Sequence, residues 1–413
     1  GDFHFVTNIS RDERNNLKTN VDVLPTSFTL NNFDWVVEES KIAVENGYID
    51  VQGLSIHNTD QTQSINIDGR YSPKDPNEIL SIDLKEVNLS YVFDMLAIDA
   101  LNFGGYATGT IKASSIKGKP YANVRLDVDE FAFNKAPLGH LFLLGELDEE
   151  TNKVIMKGNI LTPDNDQTLI DGFISPISQE LSINFDAKRI NVGFLNKYVS
   201  TLFNNVSGKG SGKVHLFGDF SNVTVEGKAF VENGNIGINF LNTNYVFTDT
   251  VFLEKDRIYF DKVKFQDNQN NVAVISGEVR HDYFSNFVYR INAEANKFLL
   301  YNVGETTNQL FNGSVFASGN GSIFGNEQVL NIDIRMKTDE NTRVRMNFME
   351  EVADQFSFIT YRDRKTEVVQ KDTTHKYGTR PMHSESGIEI KMNFYIDVTP
   401  DASVELVMDP VGG

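Results

Sequence analysis

The sequence predicts an all-β protein: an elongated sheet, forming a U-shaped groove or a β-solenoid, built of repeats of about 105 residues with short helical inserts. Three observations lead to this fold class. Motifs that end in Gly69, Gly172 and Gly277 recur at intervals of 103 (172−69) and 105 (277−172) residues. Apolar and polar residues alternate with a period of two along most of the chain. Strand-forming aromatic and β-branched residues are abundant, and 31 residues are Phe.

The repeat divides the chain into four predicted segments. We expect a first β segment over residues 1–75, a second repeat over 76–178, a third over 179–283 and a partial fourth over 284–413. The fourth contains residues 362–387, which are rich in charge and lack apolar periodicity, as expected of a long polar loop. It ends with the turn residues Thr399-Pro400-Asp401-Ala402 between two alternating segments, which predict a C-terminal hairpin.

Helical periodicity is confined to two short stretches. Residues 194–203 follow the i, i+4, i+8 spacing of an amphipathic helix, and residues 91–101 are a weaker match with Ser90 as a possible N-cap. Each stretch precedes recurring glycines, such as Gly105 and Gly208. We therefore predict short helical inserts, followed by glycines at positions where a strand bends or two backbones approach closely.

Composition and charge exclude several classes of function. The formal net charge of −19 surrounds the protein with a negative potential that disfavours nucleic acid as a partner. The chain has no Cys, so it has no disulfide framework and no thiolate nucleophile or metal ligand. Its longest apolar runs are far shorter than the roughly 20 residues that a bilayer-spanning helix needs.

Motifs that suggest a phosphate or metal site are weak. The segment Gly208–Lys213 resembles a phosphate-binding loop, but it is one residue short of that spacing and is followed by a strand-like segment. Residues 164–166 (Asp-Asn-Asp) offer oxygen ligands without the glycine and distal glutamate of a calcium loop. His375 and His383 form at best a weak metal pair in a polar segment. We predict no metal and no cofactor.

No residue pattern indicates a catalytic site. Asp127, Asp129 and Glu130 lie in an alternating segment with Leu126 and Val128, which is typical of a solvated strand face rather than of a carboxylate dyad. A nucleophile with a neighbouring base is not recognisable in the sequence. We therefore predict that the protein is not an enzyme.

The candidate functional surface is the apolar face of the predicted sheet. Six apolar positions in residues 42–56 recur at a constant offset of 209 (251−42), and residues 388–398 alternate strictly. If the walls of a curled sheet interdigitate they form a dry core, and if they stay apart they form a trough for acyl chains; the pattern leaves both open. The predicted lining residues are Ile42, Val44, Ile49, Val51, Leu54, Ile56, Val251, Leu253, Ile258, Phe260, Val263, Phe265, Ile388, Ile390, Met392, Phe394, Ile396 and Val398.

Two stretches of the sequence resemble the TamB family. Residues 206–227, with Gly208, Gly210 and Gly212 followed by Val225-Glu226-Gly227, are similar to the glycine repeats of that family. The terminal residues 393–412, from Asn393-Phe394-Tyr395 to Met408-Asp409-Pro410, resemble its C-terminal domain, particularly in Bacteroidetes-type members. Phe28-Thr29-Leu30 and Trp35 fit the same family.

The resemblance implies a fold, a location and partners. Members are AsmA-like proteins of the Gram-negative periplasm, anchored in the inner membrane by an N-terminal helix, and they form a long groove called a β-taco. The family is implied to conduct phospholipid toward the outer membrane and to work with an Omp85-family outer-membrane barrel protein. This sequence lacks the anchor and ends at Gly413, and we expect it to be a segment of a longer protein. The alternatives are a structural or adhesive β-solenoid with a dry core, or a scaffold that aids outer-membrane protein assembly.

Overall fold

A computed structural model confirms the all-β fold class. It describes residues 4–11, 15–30, 33–91, 102–116, 119–148, 150–175, 177–200, 203–304, 311–348, 382–383 and 389–408. The described residues form 26 strands in one open, mixed sheet. Because apolar and polar residues alternate along these strands, one face of the sheet is apolar and the other is polar.

The chain divides into two compact units, Gly1–Phe194 with Lys209–Ala229 and Leu195–Gly208 with Phe230–Gly413. The strands of the first part of the chain are β1 (Phe5–Arg11), β2 (Leu17–Val23), β3 (Thr26–Leu30), β4 (Phe33–Val37), β5 (Ser40–Glu45), β6 (Tyr48–Asn58), β7 (Ser64–Tyr71), β8 (Leu80–Asn88), β9 (Phe103–Ile116), β10 (Lys119–Phe133), β11 (Ala136–Asp148), β12 (Lys153–Leu161), β13 (Gln167–Ser175) and β14 (Glu180–Asn191).

The second part of the chain continues the same pattern. Its strands are β15 (Phe203–Asp219), β16 (Asn222–Ile238), β17 (Thr243–Glu254), β18 (Arg257–Gln266), β19 (Val272–Asp282), β20 (Ser285–Val303), β21 (Phe311–Asn326), β22 (Val329–Thr338), β23 (Arg343–Phe348), β24 (Met382–His383), β25 (Glu389–Asp397) and β26 (Ser403–Met408).

The helical segments are short, as predicted. Between β14 and β15 lie a 3-10 turn (Val192–Leu195) and α1 (Asn196–Val199), and a second 3-10 turn (Asn239–Leu241) precedes β17. Residues 89–91 are helical, whereas residues 92–101, the rest of the other predicted helix, lie outside the described part of the chain. Of the predicted polar loop 362–387, the structure describes only β24.

Turns that follow β6, β12 and β18 show that the sequence repeat is a structural repeat of six strands. The Gln61 N–H donates to the Asn58 carbonyl after β6, the Asn165 N–H to Thr162 after β12, and the Asn270 N–H to Asp267 after β18. The three donors also share a positive φ of 56 to 63°. They are 104 (165−61) and 105 (270−165) residues apart.

One-residue bulges bend alternate strands in both units. Each bulge contains a residue with φ near +50 to +64°. A bulge of this kind strengthens the local twist and bends the strand. The bulge residues are Gly53 in β6, Glu86 in β8, Glu130 in β10, Arg189 in β14, Asn233 in β16, Lys262 in β18 and Lys297 in β20.

Most of these bulges share one hydrogen bond. The freed backbone N–H of the bulge residue donates to a side-chain oxygen on the next strand, which satisfies a group that the ladder leaves unpaired. The bonds join Glu86 to Thr108 (3.1 Å), Arg189 to Ser211 (2.9 Å), Asn233 to Thr248 (3.0 Å), Lys262 to Ser276 (2.7 Å), Lys297 to Ser318 (2.9 Å) and Gly53 to Asp68 (2.9 Å).

The predicted C-terminal hairpin is wrong. The turn forms, because the Ala402 N–H donates to the Thr399 carbonyl. However, β25 pairs in parallel with β22 and β26 pairs in parallel with β23, both at an offset of 60 (389−329 and 403−343). The chain therefore continues in the same direction through the turn. This turn between β25 and β26 corresponds to residues 339–342, which separate β22 from β23.

The packed cores lie beside the bulges. In the first unit Val128, Phe131 and Ile160 are buried, and Phe194 from the 3-10 turn packs against this cluster. In the second unit a larger cluster surrounds Val263 and Phe298. Each core thus contains residues that directly adjoin a bulge, such as Phe131 beside Glu130 and Val263 beside Lys262.

Candidate functional site

Apolar side chains cross the first unit in continuous rows on one face. Residues that lie opposite each other in paired strands share a face and contact one another. One row runs through ten strands, from β6 to β15, without a polar member: Leu54, Ile67, Ile82, Ile111, Val124, Gly145, Met156, Gly172, Ile183 and Leu216. A parallel row holds Ile56, Ile65, Leu84, Gly109, Leu126, Leu143, Gly158, Ile170, Phe185 and Val214.

The second unit carries rows of the same kind. One contains Phe260, Gly277, Ile291, Ile323, Ile332 and Met392, and another contains Val263, Ile275, Ala293, Gly321, Ile334 and Phe394. The parallel strand β25 extends both rows by one member. The apolar face is therefore a property of each unit and not of a single hairpin.

The structure pairs most of the predicted lining residues with apolar partners on this face. In β5 and β6, Ile42 lies opposite Val51 and Val44 lies opposite Ile49, while a bulge at Gly53 keeps Leu54 on the same side. In the second unit Leu253 lies opposite Ile258, Phe265 opposite Ala273, and Ile396 opposite Met336. Val251 lies in β17, the backbone of Ile390 pairs with Leu330, and Val398 directly follows β25. Ile388 lies outside the described residues.

The exposure of these residues varies. Val51, Val263 and Phe265 are buried, and the last two belong to the core cluster. Apart from Ile388 and Ile390, the other lining residues are half-buried or exposed, and Phe394 at 50% and Val398 at 61% are the most open. An apolar surface therefore extends beyond the core and stays in contact with solvent.

A small apolar cavity lies at the N-terminal end of the face. It has a volume of about 290 Å³ and is lined mainly by Phe5, Val21, Val23, Leu54 and Ile56. Two predicted lining residues, Leu54 and Ile56, thus border this open space.

The opposite face is polar and rich in ion pairs. Glu278 accepts hydrogen bonds from Arg280 at 3.2 Å, Arg290 at 3.4 Å and Arg257 at 3.5 Å. The hydrogen bond from Arg280, together with the positive charge of these guanidinium groups, lowers the pKa of Glu278. Alternation of the strands thus separates a charged outer face from an apolar inner one.

Two side-chain clusters on the polar face were not predicted. Ser182 Oγ lies 2.9 Å from His215 Nε2, and His215 Nδ1 lies 3.2 Å from Glu226 Oε1, which is the order of a serine triad. Ser182 lies in the middle of a strand that is paired on both sides, so the surrounding amides bond to the ladder rather than form an oxyanion hole. The second cluster joins His140 to Asp127 and Asp129. Each cluster spans neighbouring strands, so only the strand register reveals it.

The fold and this face define an open β-sheet protein with an extended apolar face. Residues 261–410, which begin within β18 and include β19 to β26, match the family model of the TamB C-terminal domain. Over these residues the chain is therefore similar to the TamB family, in agreement with the sequence resemblance.

No curated protein and no solved structure matches the chain. Among the described residues, none of the helices is both long enough and apolar enough to cross a membrane.

Proposed function

We propose that this chain is a segment of a periplasmic bridge-like protein that conducts phospholipid acyl chains along its apolar face between the inner and outer membranes. The observation that carries the proposal is the row from Leu54 to Leu216, which crosses ten strands without a polar side chain. An acyl chain that moves along such a row meets no polar group at which it would be held or rejected.

The physical driving force is the removal of hydrocarbon from water. The transfer of each methylene group of a lipid out of water is favourable by about 0.8 kcal/mol. When an acyl chain covers half-buried side chains such as Ile82 and Leu84, the removal of their apolar surface from water is favourable for the same reason. Because every position along the row is similar, the lipid has no deep minimum and can move from strand to strand.

The family assignment supports the location and the partners. TamB-type proteins are expected in the periplasm of Gram-negative bacteria, anchored in the inner membrane, with an Omp85-family barrel protein as the outer-membrane partner. In this proposal the chain supplies the passage for phospholipid and thereby supports outer-membrane biogenesis. It acts as a passive conduit, without catalysis.

Native mass spectrometry of the protein purified from a Gram-negative host tests the proposal. We expect co-purified phospholipid on the wild type and much less on Phe260→Asp, because a carboxylate on the apolar face is costly beside acyl chains. Lys264→Asp is the matched control, since Lys264 is exposed on the opposite face of the same strand. This control should retain its lipid, and thermal melting should show that both variants are folded.

A dry-core structural solenoid is the second candidate, and the burial of Val263 and Phe265 in the core favours it. In that case the wild type carries no phospholipid, and Phe260→Asp unfolds its unit because water cannot reach the new carboxylate. Retained fold with lost lipid supports the conduit, and a wild type without lipid contradicts it.

A further inference from the structure

His140 lies between two carboxylates on the polar face of the first unit. Its Nε2 is 3.0 Å from Asp127 Oδ1, and its Nδ1 is 2.8 Å from Asp129 Oδ1. Asp127 and Asp129 belong to β10, and His140 belongs to the neighbouring strand β11. All three side chains reach solvent, so an ion can approach them directly.

We infer that Asp127, Asp129 and His140 form a binding site for a divalent transition-metal ion such as Zn²⁺. Two ligand atoms that bind one Zn²⁺ ion at about 2.1 Å with a tetrahedral angle are about 3.4 Å apart. His140 Nε2 and Asp127 Oδ1 are 3.0 Å apart, so a small rotation of either side chain gives this separation. A bound ion would lie between these two atoms and replace their direct contact.

Asp129 acts on the other ring nitrogen. A carboxylate that accepts a hydrogen bond from Nδ1 fixes the imidazole tautomer and leaves Nε2 free to bind a metal. Asp129 Oδ1 lies where this role requires it. The imidazole ligand favours Zn²⁺, Ni²⁺ or Cu²⁺ over Mg²⁺ and Ca²⁺, which prefer oxygen ligands.

The surroundings of the site attract cations. A polar cavity of about 520 Å³ lies beside it, lined by Asp129, Glu86 and Glu130 among others. Glu86 and Glu130 are bulge residues with φ of 50 and 51°. The bulges thus bring two further carboxylates to the same cavity, which leaves room for water molecules to complete the coordination sphere.

Calorimetric titration of the untagged protein with Zn²⁺ alone tests this site. We expect saturable binding of one ion to the wild type, loss of that binding in His140→Ala, and an affinity about 10- to 100-fold lower in Asp129→Asn. His215→Ala is the matched control, because His215 also pairs with a carboxylate on the same face, and it should bind Zn²⁺ like the wild type.

Titration with Co²⁺ adds a readout of the ligands, since imidazole coordination changes the visible absorption of the ion. Circular dichroism shows whether each variant is folded, and Asp127→Asn replaces His140→Ala if the latter does not fold. Equal binding by the wild type and His140→Ala means an adventitious ion only and overturns the inference. No binding by the wild type overturns it as well.

Discussion

At the scale of single residues, His281 is a buried titratable group whose positive charge is unfavourable in its surroundings. It is buried, and its ring stacks on Phe284 at 4.7 Å and meets the edge of Phe287 at 6.1 Å. Its Nδ1 accepts the Phe284 N–H, while its Nε2 is buried without a hydrogen-bond partner in the described part of the chain. Burial lowers the pKa of His281 below its ordinary 6.5, although Asp256 and Asp282 partly oppose this shift.

This burial predicts a loss of stability in acid. The unfolded chain binds the His281 proton more tightly than the folded one, so stability is full above about pH 6.5 and falls as the pH drops below it. We expect the melting temperature to fall between pH 7.5 and pH 5.5, and to fall less in His281→Phe, which keeps an aromatic ring in place.

His57 provides the control for this measurement. Its hydrogen bond to the Asn58 carbonyl and its contact with Glu38 raise its pKa, so it contributes stability in acid. His57→Gln should therefore deepen the fall between the two pH values. A fall of equal size in the wild type and in His281→Phe would show that His281 does not carry the effect.

At the scale of the strand, the bulges combine a bend with a glycine on the neighbouring strand. Gly105 and Gly208 lie opposite the bulges of Glu130 and Asn233, with φ of 123 and 133°. A Cβ atom on Gly208 would lie 2.9 Å from the Gly234 Cα, and one on Gly105 would lie 2.7 Å from the Asp129 carbonyl oxygen. This confirms the sequence prediction for these two glycines.

Gly208→Ala should destabilise the protein by about 1–3 kcal/mol, because the alanine backbone is strained at this φ and its Cβ atom would lie too close to the opposite backbone. Gly53→Asn should be tolerated, since Gly53 has open space around its Cα and a φ of 64°, which asparagine adopts readily. Urea unfolding of both variants measures the difference. Equal stability of Gly208→Ala and the wild type would mean that the glycine is incidental.

The hydroxyl groups that cap the bulges give a second prediction at this scale. Thr108→Val keeps the shape of the side chain but removes the acceptor of the Glu86 N–H, which should cost about 0.5–1.5 kcal/mol. Thr110→Val, two residues along the same strand and face, is the control. If both variants melt alike, the capping bond contributes nothing to the bend.

The elements show what the sequence can and cannot predict. Alternation predicts the strands and their apolar faces, because the period of two follows from strand geometry alone. Thr399 and Pro400 predict a turn, and the turn forms. They do not determine the direction of the chain beyond it, which depends on the parallel pairing with a strand 60 residues earlier (389−329). His215 and Ser182 likewise meet only because β14 and β15 are in register.

At the scale of the whole molecule, the repeat explains why the apolar surface is so extensive. A six-strand repeat of about 105 residues carries its own bulges, turns and apolar rows, so each copy presents the same kind of surface. The period was visible in the sequence because glycines are required at fixed positions. The openness of the face was not, since Ile, Val and Phe line a dry core and a lipid trough equally well.

The central claim, that the apolar face holds phospholipid, is tested most directly by photo-crosslinking along β7. A crosslinking amino acid is placed in turn at Ile65, Asn66, Ile67 and Asp68, and lipid attached to each purified variant is quantified by mass spectrometry. Ile65 and Ile67 belong to the apolar rows, whereas Asn66 and Asp68 lie on the other face. We predict lipid adducts at positions 65 and 67 and none at 66 and 68. Equal labelling at all four positions, or no lipid at any of them, would contradict the account.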